Sequence, residues 1–174
     1  MTIRKGVSSD IDEIEGLYNQ LIDYLLMNVN YPGWKKDIYP IRQDAEDGVN
    51  ENALYVVVDD DQIVGTFILR QRPEPAYDTV NWNNSLSYKT IYVIYTLAVH
   101  PESLGKNIGD MMMDFIIDEA RRKEMKAVRL DVYEGNTPAI HLYEKHRFQY
   151  IDTIDLGYSQ YGLNWFRLYQ YVID

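Results

Sequence analysis

The stretch Thr96-Leu-Ala-Val-His-Pro-Glu-Ser-Leu-Gly-Lys-Asn-Ile-Gly109 joins an apolar run to a glycine-bearing turn and then to an amphipathic segment. These residue types suit an anion. The first turn of a helix has backbone N–H groups with no internal partner and carries the positive end of the dipole. Gly105 and Gly109 let the backbone approach a phosphate closely, and Lys106 adds a charge. A diphosphate is the natural guest. The alternative for Leu104 to Gly109 is an ordinary strand-to-helix turn. Two familiar phosphate loops are absent: there is no Gly-x-x-x-x-Gly-Lys-Ser/Thr string and no G-x-G-x-x-G string.

A second segment, Asn136-Thr-Pro-Ala-Ile-His-Leu-Tyr-Glu-Lys-His-Arg-Phe148, lies about 30 residues downstream. Thr137 reads as an N-cap and Pro138 as the first helical residue. Ala139 and Tyr143 are four apart and share one face of that helix. Asn136 either caps the chain or touches a bound group. Tyr143 is either a packing tyrosine, one of 16, or an O–H donor at a reacting centre.

Together the two segments resemble the GNAT superfamily of N-acetyltransferases, whose pyrophosphate loop is written Q/R-x-x-G-x-G/A. Leu104 stands where Gln or Arg is usual, and Asn107 where the first Gly is usual. Asn tolerates positive φ, so the loop shape survives. Arg147 stands where a Gly usually precedes the Phe. The resemblance implies acetyl-CoA as the acetyl-donor cosubstrate, with its pantetheine arm held by the backbone of Leu97, Ala98 and Val99. It puts the diphosphate against Leu104, Gly105, Lys106, Asn107, Ile108, Gly109 and Asp110. It implies Asn136 and Ala139 closing over the pantetheine and Tyr143 as the acid that protonates the leaving thiolate. A bulge in the strand before the loop would free backbone N–H groups to polarise the thioester carbonyl. Trp34, Tyr39-Pro40, Leu54-Tyr-Val56 and Leu97-Ala-Val-His-Pro101 are similar to a bacterial branch of the superfamily with unassigned substrate.

The implied activity is transfer of the acetyl group to a primary amine of a small-molecule acceptor, by direct attack in a ternary complex. No cysteine is available for a covalent acyl-enzyme. The alternative is a non-catalytic acyl-CoA-binding or regulatory module with the same fold. The proton acceptor stays open. Many relatives place a Glu on the strand before the phosphate loop, whereas Ile91 to Val99 holds no carboxylate and no histidine. Asp131 and Glu134, on and after the neighbouring strand, are candidate substitutes, either acting through water; the alternative is that no single base carries a large effect. Trp34, Tyr31, Tyr77 and Trp82, with the long 71–88 loop, either line an acceptor pocket or pack the core.

Composition sets the outer bounds. Net charge is −10, from 17 basic and 27 acidic residues. That argues against nucleic acid, whose binding is dominated by phosphate neutralisation, and against anionic membranes. It permits a cationic amine but is equally plain solubility. Without cysteine there are no disulfides or Cys-zinc sites, and His100, His141 and His146 form no metal triad, so no metal is expected. The N-terminus lacks the apolar run of a signal peptide, which makes the cytoplasm the default expectation. A homodimer is a further expectation, because relatives commonly form them.

The elements follow from periodicity. A short strand covers residues 2–5. A helix starts at Ser9 with Ile11, Ile14, Leu17, Tyr18, Leu21, Ile22 and Leu25 on one face. A short polar helix lies between Pro40 and Gly48. Leu54 to Val58 and Ile63 to Leu69 form a hairpin. A strand from Thr90 to Val99, a helix from Asn107 to Lys123 and a strand from Ala127 to Tyr133 follow. Ile108, Met111, Met112 and Phe115 lie on one side of the Asn107 helix. A helix from Pro138 to His146 precedes a closing antiparallel pair, Tyr150 to Leu156 and Leu163 to Val172. The reading is one domain, residues 1–174, with an α/β mixed, mostly antiparallel sheet of about seven strands flanked by helices on both faces. The resemblance adds that the sheet splays between the strands ending near Val99 and Tyr133.

Overall fold

Helical and strand periodicities alternate along the chain, and the computed structural model, which describes residues 1–174, turns each into an element. In chain order these are β1 (Thr2–Lys5), α1 (Ile11–Met27), α2 (Arg42–Asn50), β2 (Leu54–Asp59), β3 (Gln62–Arg70) and β4 (Ile91–Val99). Then come α3 (Ile108–Arg122), β5 (Ala127–Tyr133), α4 (Thr137–Lys145), β6 (Gln149–Ile154) and β7 (Phe166–Val172). The seven strands form one sheet in the order β1-β2-β3-β4-β5-β7-β6. Pairs β1/β2, β2/β3, β5/β7 and β6/β7 are antiparallel, and β4/β5 is parallel. The β4/β5 register runs from Ile91↔Ala127 to Val93↔Arg129 and takes in only the first three residues of each strand.

The chain divides into two units. The first comprises residues 1–30, 34–69 and 95–112. Its core packs α1 with β2 and β3: Ile14, Leu17, Tyr18, Leu21 and Leu25 meet Leu54, Val56, Ile63, Ile68 and Ala98. All seven apolar positions read from the periodicity of α1 are buried. The hairpin β2–β3 closes on Asp60 and Asp61, both at positive φ (45° and 62°). Two consecutive positive φ values match the right-handed twist of the flanking strands, and short acidic residues tolerate them.

The second unit comprises residues 31–33, 70–94 and 113–174. Here β5 lies against β7 with Asp131 opposite Leu168 and Tyr133 opposite Phe166. The 71–90 segment is mostly loop with two short 3-10 turns, Pro75–Thr79 and Tyr88–Thr90.

Two local expectations are corrected. α1 begins at Ile11, not Ser9, because Ser8–Asp10 form a 3-10 turn. The Asp10 carboxylate accepts from the Val7 N–H (2.8 Å) and starts that turn earlier. α4 is capped by Asn136, so Thr137 is its first residue. In α3 the fully buried line is Ile108, Met112, Met113, Ile116 and Ala120, while Met111 and Phe115 are only partly covered.

Candidate active site

The first unit carries the phosphate-loop candidate. In the middle of β4, Thr96 sits at φ +49°. A β-branched residue there is a steric outlier, so the strand is held in a strained kink. The Tyr39 hydroxyl bonds Thr96 Oγ1 at 2.5 Å and fixes it from the side. Gly65 lies beside the last residues of the strand. A Cβ on it would come within 3.3 Å of the Ala98 carbonyl oxygen and 3.2 Å of Ile108, so the close packing of β3 on Ala98 needs a glycine. Leu97, Ala98 and Val99 follow the kink. Ala98 is buried, with Leu97 and Val99 half-buried.

After β4 the chain is steered by His100. Its N–H donates to Val64 O (2.9 Å), its Nδ1 accepts from the Glu102 N–H (3.2 Å), and its Nε2 lies 3.1 Å from Gln20 Oε1. A 3-10 turn, Pro101–Ser103, leads to an exposed Leu104. Gly105 (φ +79°) and Asn107 (φ +60°) are both left-handed. Asn107 therefore does take the conformation that its residue type allows. The Met111 N–H reaches the Asn107 carbonyl (3.1 Å), so the N–H groups of Ile108 and Gly109 precede the first bond of α3. A Cβ on Gly105 would meet no atom within 4 Å. Lys106 is exposed beside it. An exposed, left-handed turn capped by a helix N-terminus with an adjacent cation fits a diphosphate.

The second unit carries the other candidates. The Asn136 side chain accepts from the Ala139 N–H at 3.4 Å and so caps α4. Tyr143 is 6 % exposed, with its ring against Phe148 and Tyr169. Burial, and then the Asp131 charge, push its phenol above the ordinary range, and no hydrogen bond contributes. Asp131 on β5 accepts from the Tyr77 hydroxyl at 2.6 Å. Burial, with Glu74 adding repulsion against the Tyr77 hydrogen bond, pushes its carboxyl up to about 6. Tyr77 and Trp82 are buried, with ring centroids 5.1 Å apart. Trp34 belongs to the first unit's core edge, 5.9 Å from Tyr39, and Tyr31 is exposed.

Arg129 holds the 71–90 loop. It donates to Gln170 Oε1 (2.8 Å), Tyr88 Oη (2.9 Å) and Asn84 Oδ1 (2.8 Å), and its guanidinium lies over the Trp82 ring at 4.2 Å. Reasoning from sequence missed Thr96, Tyr39 and Arg129. The last had a visible signal: charges at 129 and 131 stand on one face of an otherwise apolar strand. No group of three His, Cys, Asp or Glu side chains is placed to hold a metal ion. His146 lies 3.3 Å from Asp114.

Residues 17–148 match the model of the acetyltransferase (GNAT) family. The chain belongs to that family. It is 33% identical over 66 residues to the mycothiol acetyltransferase of Propionibacterium freudenreichii, a match over 38% of this chain and 21% of that protein. The chain thus spans about a fifth of the length of the curated relatives it matches. Among solved structures, a GNAT-family acetyltransferase from Streptococcus agalactiae superposes with a TM-score of 0.77 at 19% identity, over 99% of this chain and 95% of that one. The Salmonella typhimurium protein yncA, solved with its cofactor acetyl-CoA, gives 0.73 at 17% identity over 100% and 94%. These likenesses show the fold: a mixed α/β, mostly antiparallel open sheet of seven strands with four helices. No helix is long and apolar enough to cross a membrane.

Proposed function

We propose that residues 1–174 form one acetyltransferase domain that moves the acetyl group of acetyl-CoA to a primary amine of a small-molecule acceptor. The observation that carries the reading is the sequence of backbone conformations from Thr96 to Asn107. A strained kink, a left-handed glycine and a left-handed asparagine run into a helix start. The match of residues 17–148 to the family supports it.

Acetyl-CoA supplies an activated thioester and needs little covalent help from the protein. Backbone groups of Leu97, Ala98 and Val99 hold the pantetheine amides, and the kink at Thr96 turns strand N–H groups towards the thioester carbonyl. Leu104 to Asp110 hold the diphosphate through backbone donors and Lys106. Asn136 shapes the start of α4, and Ala139 leaves room on the face it shares with Tyr143. Tyr143 gives its proton to the departing sulfur. Holding donor and amine together supplies most of the acceleration. A cytoplasmic location and self-association into a homodimer complete the reading.

One observation favours a second reading. β4 carries neither a carboxylate nor a histidine, which suits a non-catalytic acyl-CoA-binding module. Thiol release from acetyl-CoA, measured across a panel of alkyl amines, amino acids, polyamines and aminoglycosides, separates the two. Turnover above the hydrolytic background with any amine supports the enzyme. CoA binding by calorimetry with no turnover across the panel supports the module.

A further inference from the structure

The second unit holds a half-buried carboxyl group with a single protein donor. Asp131 receives one hydrogen bond, from Tyr77 to Oδ2, and no other protein donor reaches it. Arg129 stands two residues away on the same strand but spends its donors on Gln170, Tyr88 and Asn84. The charged and titratable groups that Asp131 feels are Glu74 and Tyr77 from the 71–90 loop, Tyr143 from α4 and Tyr158 from the segment after β6. None is a cation. Partial burial without a cationic partner disfavours the charged carboxylate, and Oδ1, to which no protein group donates, is open to a proton or an amine.

We propose that Asp131, oriented by Tyr77, is the catalytic proton acceptor for the acceptor amine, and that the acceptor is an alkyl amine, cationic in water. This inference rests on the acetyl-transfer reading above. It gives the reaction a base on β5 in place of one on β4. Tyr77 acts as a positioning residue. Its hydroxyl occupies Oδ2 and leaves the lone pairs of Oδ1 for the substrate N–H. The step balances. The ammonium first releases one proton to solvent; the neutral nitrogen then forms its bond to the acetyl carbon, the carbon–sulfur bond breaks, and the proton that the nitrogen must shed in forming the amide passes to Asp131. The sulfur takes the Tyr143 proton, and solvent carries the Asp131 proton back to Tyr143. Amine and acetyl-CoA become acetamide and CoA thiol.

The charges reinforce this order. The Asp131 charge raises the hold of Tyr143 on its proton. Protonating Asp131 removes that effect just when sulfur needs a donor.

Asp131→Asn keeps the acceptor for the Tyr77 hydroxyl and removes the base. With acetyl-CoA and the amine of the panel that turns over fastest, kcat/KM should fall roughly 10²- to 10³-fold. The acid limb of the wild-type pH profile, midpoint about 6, should vanish. Acetyl-CoA affinity, by calorimetry, should stay within a few-fold. Tyr77→Phe removes a bond that favours the charged carboxylate, so its acid limb should move to higher pH. Wild-type Asp131, followed by carboxyl-carbon NMR without any substrate, should titrate near 6. An Asp131→Asn variant with the wild-type rate and acid limb overturns the assignment and leaves acetyl transfer standing. A wild-type NMR midpoint below about 4 overturns it as well. Absence of wild-type turnover with every amine overturns the acetyl-transfer reading and this inference together.

Discussion

Gly105 offers the sharpest test of where the diphosphate binds. It sits at φ +79° with open space where a Cβ would go. Gly105→Ala therefore meets no clash and pays only the left-handed penalty, roughly 1–2 kcal/mol. Gly105→Glu pays the same penalty and adds a negative charge at the proposed diphosphate. At a separation of roughly 6 Å and an effective dielectric of 40–80, each phosphate charge costs about 0.7–1.4 kcal/mol. Two such charges give about 1.4–2.8 kcal/mol, or roughly a 10- to 100-fold loss of affinity. Calorimetry with CoA should show this gap between the Ala and Glu variants, since the shared conformational cost cancels. Raising the salt from about 0.05 to 0.5 M should shrink the gap, because exposed charges are screened over about 10 Å or less. Equal CoA affinity for folded Ala and Glu variants would place the diphosphate elsewhere.

Tyr143→Phe removes one hydroxyl and keeps the buried ring; kcat should fall roughly 10²-fold with acetyl-CoA affinity within a few-fold, and an unchanged kcat with chemistry rate-limiting leaves the sulfur to solvent. Arg129→Met removes the charged donor to Gln170, Tyr88 and Asn84, while Gln170 Oε1 keeps the Asn84 amide and Asn84 Oδ1 keeps the Leu86 N–H, and should cost about 1.5–3 kcal/mol in denaturant unfolding; a loss under about 1 kcal/mol would show that the 71–90 loop is held by other contacts. Asp10 is held below the usual carboxylate range by Arg4, so it stabilises the fold above about pH 4 and loses that contribution as pH falls through its lowered value. Asp10→Asn should therefore be less stable than wild type at pH 7 and approach it in acid; a gap that does not narrow would remove the Arg4 pair as its source.

The sequence carried the fold where burial alone decides an element. The stripe of α1 and the bounds of β5 are legible because an apolar face has a fixed period. Helix starts were less legible. Asn136 and Thr137 are both good caps, and the side chain that reaches the Ala139 N–H decides between them only in three dimensions. Asn107 was legible because its residue type tolerates the φ that the turn requires. Thr96 was not, because nothing about threonine signals a positive φ. Tertiary contacts, here the Tyr39 hydroxyl, impose it. Tyr77 meets Asp131 across 54 residues of chain, a pairing that no local pattern encodes.

The proximity of Arg129 and Asp131 bears on why this fold keeps a half-buried carboxyl without a cationic partner. Selection for stability alone would pair two opposite charges two residues apart or replace both with apolar residues. Here Arg129 is spent on neutral acceptors, and Asp131 keeps one hydroxyl donor. A group whose folded value is raised destabilises the fold above its unfolded value, increasingly until the folded value is passed. For Asp131 that window runs from 3.8 to about 6. A rise of about two units corresponds to about 3 kcal/mol at most, and contact of the half-buried residue with solvent reduces it to about 1–3 kcal/mol. Asp131→Asn keeps the Tyr77 bond and abolishes the penalty. Its unfolding free energy should gain on the wild type by that amount between pH 4 and pH 7, with the change concentrated below about pH 6. A wild-type-to-variant difference independent of pH would mean that Asp131 is solvated and bears no such cost. A variant that is more stable and less active would show stability given up at a site kept for its chemistry.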